Sequence, residues 1–195
     1  VHHPLDPRVI ALLKTATGVL RRLKVKYAIG GGIALIVHGV ARSTSDVDVF
    51  ALAKDRARIL SALRKAGLIV DGAMEPFHYQ AWRLADHDPR IRIDVLFPNA
   101  ELEKFAVRHP QPVRAWDEDF DAMPPNILAA VKFMSGETKH RQDVRLMLER
   151  GVVEARAVYD LLASEDPREA TAFARWTKAP KKKPNPRRHP LDKRQ

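Results

Sequence analysis

The sequence predicts an α+β protein, with a mixed β-sheet core flanked by helices and a helical domain after it. Two features of its hydrophobic patterning carry this reading. Up to Phe97, short apolar or alternating runs of strand length are interleaved with stretches of helical spacing, whereas beyond Pro124 only the helical spacing persists. A third feature is chemical. Asp46 and Asp48 stand inside a β-rich run after the glycine turn Gly30-Gly31-Gly32, and Asp94 stands in the later run IRIDVLF. The expected organisation is a core domain over 1–100, a helical domain over 101–178 and a basic tail over 179–195, which is expected to be disordered in isolation.

The elements follow in order. Between Leu5 and Leu23, apolar residues at Val9, Leu12, Leu13, Ala16, Leu20 and Leu23 give an opening amphipathic helix. Lys26 to Ile29 reads as a short strand running into the glycine turn, where the missing Cβ lets backbone come close to a ligand. Ile33 to His38 reads as a helix ended by Gly39. Asp46 to Leu52 is a strand, and Lys54 to Ala66 a helix that turns Ile59, Leu60 and Leu63 inward and stops at Gly67.

Further strands are expected at Leu68 to Val70, His78 to Leu84 and Ile91 to Phe97, the last two joined through the turn ADHDPR as a hairpin with a longer loop. In the last of them Ile91, Ile93, Val95 and Phe97 alternate with Arg92, Asp94 and Leu96, which sets Asp94 on the face opposite the isoleucines. Pro98 to Met123 is mixed, with one short helix and an irregular or extended connector around Pro110 and Pro112. Helices then follow from Pro125 to Gly136, Lys139 to Glu149, Glu154 to Ala163 and Pro167 to Trp176.

Composition narrows the chemistry. The chain has no cysteine, which excludes disulfides, thiolate zinc sites and cysteine nucleophiles and suits a reducing cytoplasm. No apolar run reaches the roughly 20 residues of a membrane span, and the start VHHPLDPR lacks a signal-peptide core, so a cytoplasmic protein without membrane contact is expected. The formal charge is +10, of which the segment from Lys178 to Gln195 supplies +7. Such a tail suits either phosphate contacts with a nucleic acid or simple solvation.

Asp46 and Asp48 lie two apart on a strand, so they share one face with carboxylates roughly 6 to 7 Å apart and can grip a divalent cation together. Aspartate is depleted in strands, and a metal accounts for the pair. Rival readings of the same motif fit less well. A dinucleotide fingerprint needs glycine where Leu35 stands, and the lysine of a phosphate-binding loop is missing. A haloacid-dehalogenase-type phosphatase would have an apolar strand before the pair, where this chain has RSTS. A metal-dependent glycosyltransferase would lack the upstream glycine turn.

Glycine turn, short helix, arginine with small polar residues, Asp-x-Asp on a strand and a lone strand aspartate about 46 residues later together resemble the nucleotidyltransferases of the DNA polymerase beta superfamily. GGIAL (Gly31 to Leu35) followed by RSTSDVDVF is similar to the abortive-infection (AbiE-type) toxin nucleotidyltransferases, and NILAAVKFMSGETKHRQDVRLML is similar to their helical segment. The resemblance spans about Val25 to Leu148. Two departures stand out: Gly32 replaces a serine common in the turn, and His140 stands where relatives often have an acid, which leaves Asp143 as the matching acidic residue.

The resemblance implies transfer of a nucleoside monophosphate from a nucleoside triphosphate to a hydroxyl with two Mg²⁺ ions. Asp46, Asp48 and Asp94 would be the catalytic and metal-binding set. Gly31, Gly32, Arg42, Thr44, Lys132 and Asp143 would contact or order the nucleotide. The implied acceptor is RNA such as a tRNA end, in a toxin-like enzyme with an antitoxin protein as partner. A protein side chain or a small molecule of the aminoglycoside kind stays open as acceptor, as does a non-catalytic nucleic-acid-binding protein with a decayed fold. Thr44 and Ser45 as turn caps, and Lys132 with Asp143 as a surface pair, are the plain alternatives for those residues. His38 reads as a packed or capping histidine. His78, Tyr79 and Trp82 read as sheet packing ahead of base stacking.

Overall fold

A computed structural model describes residues 5–74, 76–86 and 88–178. The chain divides into two compact units, Val1–Pro124 and Pro125–Gln195. In the first, α1 (Pro7–Leu23) begins behind Asp6, whose side chain accepts from the Arg8 N–H, with Pro7 in the first turn, and ends at Lys24 in the left-handed conformation. There follow β1 (Tyr27–Ile29), α2 (Gly31–Val37), β2 (Asp46–Ala51), a 3-10 turn at Ala53–Asp55 and α3 (Arg56–Lys65). Next come β3 (Ile69–Met74), β4 (His78–Trp82), β5 (Arg92–Leu96), α4 (Glu101–Arg108), β6 (Gln111–Ala115) and β7 (Glu118–Ala122).

The strands form one seven-stranded mixed sheet in the order β3-β4-β5-β2-β1-β7-β6. β2 and β5 run parallel at its centre, β1 is antiparallel to β2, and β4 is antiparallel to β5. Period-two alternation sorts the side chains of these strands between two faces. Val47, Val49, Ile93, Val95, Tyr79 and Ala81 join the buried cluster with Val9, Leu12, Leu13 and Ala16 of α1 and Ile59 and Leu63 of α3. Full burial of such aliphatic side chains stabilises by roughly 1.5–3 kcal/mol each. The alternate residues of β2, β5 and β4, among them Asp46, Asp48, Arg92, Asp94, His78 and Gln80, are left for the other face.

The mixed α/β class and the C-terminal helices are as the sequence predicts. The segment expected as an irregular or extended connector is extended, and what the sequence reading lacked is its pairing: α4 is followed by the hairpin β6–β7, and β7 joins the sheet through Ile29 opposite Ala122. Two local reasons hid it. The two-residue loop has Trp116 and Asp117 at φ 52° and 59°, a primed-turn conformation that asparagine and glycine normally signal. Pro112 lies within β6, which the sheet tolerates because β6 is an edge strand.

The second unit contains α5 (Pro125–Met134), α6 (Thr138–Glu149), α7 (Ala155–Glu165) and α8 (Pro167–Thr177). Its interior is built on Leu128, Phe133, Val144, Met147, Val158, Leu162 and Phe173, with the Phe133 and Phe173 rings edge-to-face at 5.0 Å. Among the described residues no helix is long and apolar enough to cross a membrane. The basic tail expected over 179–195 lies outside the described residues.

Candidate active site

The β2–β5 register builds the centre of the site. Asp46 stands opposite Arg92, Asp48 opposite Asp94 and Phe50 opposite Leu96. Side chains opposite one another in a parallel pair point to the same face, so Asp46, Asp48 and Asp94 share it. Asp46 and Asp48 are half-buried, while Asp94 is only 4% exposed.

The glycine turn is fitted to this strand end. Gly30 donates its N–H to the Asp48 carbonyl at 2.9 Å, continuing the β1–β2 ladder by one bond. A Cβ on Gly30 would fall 2.4 Å from the Phe50 ring. Gly31 has φ +55°, and a Cβ there would lie 1.5 Å from Asp48 Oδ2. On Gly32 it would lie 2.5 Å from Thr44 Oγ1. No side chain fits at these positions, so the Asp48 carboxylate lies directly against bare backbone.

Thr44 donates its hydroxyl to Asp46 Oδ1 at 2.6 Å, which orients that carboxylate from the loop before β2. Arg42 sits in the same loop, half-buried. At the far end of α2, His38 places Nε2 2.8 Å from the Met123 carbonyl oxygen, and burial pushes its pKa below the usual histidine value. The packed or capping histidine expected from the sequence is what this contact describes.

Asp94 is held by residues the sequence reading did not single out for it. Its Oδ1 lies 2.8 Å from His78 Nε2 and 3.0 Å from Gln80 Nε2, and Arg92 Nε lies 3.1 and 3.0 Å from its two oxygens. The signal was present in the alternation HYQAW, which puts His78 and Gln80 on one face. What was missing was the β4–β5 register, which sets Gln80 opposite Asp94 and His78 opposite Leu96. Tyr79 is a core residue, 8% exposed and edge-on to Phe97.

Lys132 and Asp143 belong to the second unit. Lys132 Nζ lies 2.9 Å from Asp143 Oδ2, with both side chains almost completely buried at 6% and 1% exposure. This rules out the exposed surface pair. Nearby, the His140 Nδ1 lies 2.6 Å from Ser135 Oγ, and its pKa is lowered by burial and then by the Lys132 charge.

Among the described residues, no three histidine, aspartate or glutamate side chains are gathered as a ready-made metal cage. The donor chemistry nevertheless fits a hard divalent cation: Asp46 and Asp48 offer oxygen ligands only, two apart on one strand. Asp94 is the register neighbour of Asp48, and the Arg92 guanidinium beside it offsets the repulsion between these carboxylates.

Residues 12–123, more than half of the chain, match the family described as aminoglycoside-2''-adenylyltransferase. The chain belongs to this family. As an aminoglycoside-2''-adenylyltransferase family member it is a nucleotidyltransferase enzyme, and the matched residues include the glycine turn, all three aspartates and the Asp94 partners. Among solved structures, it is similar to ANT(2'')-Ia in complex with adenylyl-2''-tobramycin, at 14% identity over 88% of this chain and 99% of that one, with a TM-score of 0.59. The solution structure of ANT(2'')-Ia gives 12% identity over 90% and 94% of the two chains, with a TM-score of 0.56. The lincosamide adenylyltransferase LnuA bound to lincomycin gives 13% identity over 74% and 98%, with a TM-score of 0.50. At such identities the likeness is one of fold. No curated protein matches the chain.

Proposed function

We propose that this family member transfers a nucleoside monophosphate from a nucleoside triphosphate to a hydroxyl of a small amino-sugar acceptor of the aminoglycoside kind, with Mg²⁺. The observation that carries the reading is the β2–β5 register, Asp48 beside Asp94 and Asp46 two residues away, against the glycine turn and inside the matched residues. Support for a small acceptor comes from the family and from the antibiotic adenylyltransferases that share the fold.

In the reaction, the acceptor oxygen attacks the α-phosphorus, the bond to the bridging oxygen of pyrophosphate breaks, pyrophosphate leaves and the acceptor proton passes to solvent. Asp46 and Asp48 would hold the divalent ions, two in the full reading, and Asp94 would complete the one nearest the acceptor. Divalent ions held there would lower the pKa of the acceptor hydroxyl and neutralise charge developing on the phosphates. Thr44 fixes Asp46 by its hydrogen bond. The bare backbone of Gly31 and Gly32 would admit the β- and γ-phosphates against amide dipoles, with Arg42 adding charge. Lys132 and Asp143 belong to the helical unit, where they pair with each other inside its fold.

A second reading keeps the same chemistry with an RNA end, such as that of a tRNA, as acceptor. It makes the chain a toxin-like enzyme of the abortive-infection type with an antitoxin partner. The +7 charge of the segment from Lys178 to Gln195 favours it. The two separate cleanly with α-labelled nucleoside triphosphates, Mg²⁺ and either an aminoglycoside panel or total tRNA. Label in the aminoglycosides is expected. Label confined to RNA would replace the first reading by the second, and label in neither would remove both.

A further inference from the structure

We propose that His78, Gln80 and Arg92 form a divided clamp on Asp94. In it, His78 and Gln80 are fixed positioning residues, and Arg92 is the exchangeable charge that a divalent cation displaces. The proposal rests on the nucleotidyl-transfer reading of the aspartates and deepens it.

The hydrogen-bond inventory of Asp94 is unequal. Oδ1 has three donors within reach, His78 Nε2 at 2.8 Å, Gln80 Nε2 at 3.0 Å and Arg92 Nε at 3.1 Å. Oδ2 is approached by Arg92 Nε at 3.0 Å. A carboxylate oxygen has about two lone-pair directions, so the third donor on Oδ1 is surplus. That surplus is Arg92, because its Nε carries one hydrogen shared between both oxygens, whereas His78 and Gln80 each bring a donor to Oδ1 alone. Release of Arg92 would therefore free Oδ2 and leave Oδ1 fully held.

The three partners also differ in where they are anchored. His78 and Gln80 project from β4, whose ladder to β5 fixes Gln80 opposite Asp94. Exposure does not separate the partners, His78 being 25% and Arg92 28% exposed, but anchoring does. Arg92 has a second hold at the edge of the site, where its NH1 group donates to the Pro89 carbonyl at 3.1 Å. Its guanidinium can keep that anchor while giving up the carboxylate.

Charge explains why such an exchange is useful. Asp48 and Asp94 are register partners, and Arg92 stands in the register position beside Asp46. Without a cation, Arg92 offsets the repulsion of the carboxylates. A divalent cation bound at Asp94 needs the Oδ2 direction that Arg92 Nε occupies, so cation and guanidinium compete for that oxygen and Arg92 gives it up. Gln80 brings a hydrogen bond with no charge, so it orients Asp94 without competing with the ion.

The test measures Mn²⁺ affinity of the nucleotide-free protein by electron paramagnetic resonance, together with kcat and KM for the triphosphate. Arg92→Met is expected to bind Mn²⁺ several-fold more tightly. His78→Leu and Gln80→Leu are expected to bind it about tenfold more weakly and to lose about tenfold or more in kcat with little change in KM. His78→Gln, which retains an Nε donor, should recover most of the loss. Unchanged or weaker Mn²⁺ binding in Arg92→Met, or wild-type affinity in His78→Leu and Gln80→Leu, overturns the clamp. Asp48→Asn separates the two levels of inference. If the wild type binds Mn²⁺ and Asp48→Asn does not, a failure belongs to the clamp alone; if Asp48→Asn leaves Mn²⁺ binding intact, the site reading fails and the clamp with it.

Discussion

Asp48 and Gly31 are in contact at a point where only glycine fits, since a Cβ at Gly31 would lie 1.5 Å from Asp48 Oδ2. The contact ties the turn after β1 to the carboxylate at the centre of β2. Gly31→Ala must therefore both displace that carboxylate and place an alanine at φ +55°. We expect a stability loss of about 1–3 kcal/mol and a larger loss of transfer. Gly39→Ala is the control, because its φ is also positive, at +89°, but nothing lies within 4 Å of the added Cβ. Thermal unfolding with a transfer assay compares the two, and equal loss of transfer in both would show that the Asp48 contact is immaterial.

Asp46→Asn and Asp48→Asn should each preserve the fold while reducing transfer by about two to four orders of magnitude, several kcal/mol of transition-state stabilisation. Near-wild-type turnover at saturating Mg²⁺ in either variant would remove that aspartate from the metal-binding set. Thr44→Val, which deletes the 2.6 Å hydrogen bond to Asp46, should fall between those variants and the wild type.

The Lys132–Asp143 pair gives a stability prediction with a sign that depends on how it is broken. Asp143→Leu leaves the Lys132 ammonium buried without this carboxylate and should cost about 3–5 kcal/mol, whereas Lys132→Met/Asp143→Leu together should cost much less. Urea unfolding of the two variants measures this. Equal destabilisation would mean that the pair is not the relevant interaction.

His38 and His140 both have pKa values lowered by burial from the usual 6.5. The folded state thus binds protons less readily than the unfolded one. Their contribution to stability is complete above the ordinary histidine value and is lost as pH falls below it toward the lowered values. Melting temperature should therefore drop as pH falls below about 6.5, and His38→Gln should flatten part of that slope. An unaltered slope in His38→Gln would assign the dependence elsewhere.

The hairpin loop supplies a gain. Asp117 sits at φ 59° in the β6–β7 turn, a conformation that glycine adopts without steric cost, so Asp117→Gly should stabilise by up to about 1 kcal/mol. A lower melting temperature would show that the aspartate side chain contributes more than the strain it carries.

Much of the site was legible because its signals are local. Alternation alone puts Asp46 and Asp48 on one strand face and Asp94 opposite Ile91 and Ile93, and the glycine run stands next to them in sequence. The burial of Lys132 with Asp143 was not legible, since a charged residue on the flank of an apolar stripe looks the same whether another segment covers it or water does. The β6–β7 hairpin escaped for the reasons already seen in Trp116, Asp117 and Pro112.

By itself, then, the sequence determined the α+β class, the strand that carries the acidic pair and the place of the glycine turn, because each is read from residues only a few positions apart, whereas the contact with Asp48 that demands glycine at Gly31 is a tertiary one. The tertiary structure decided which strand lies beside which. Register between β2, β5 and β4 is fixed by burial of the entire opposite face, where a one-residue slip would expose Val47, Ile93 and Tyr79 together. That long-range constraint brings Asp94 beside Asp48 and gives it His78, Gln80 and Arg92 as partners.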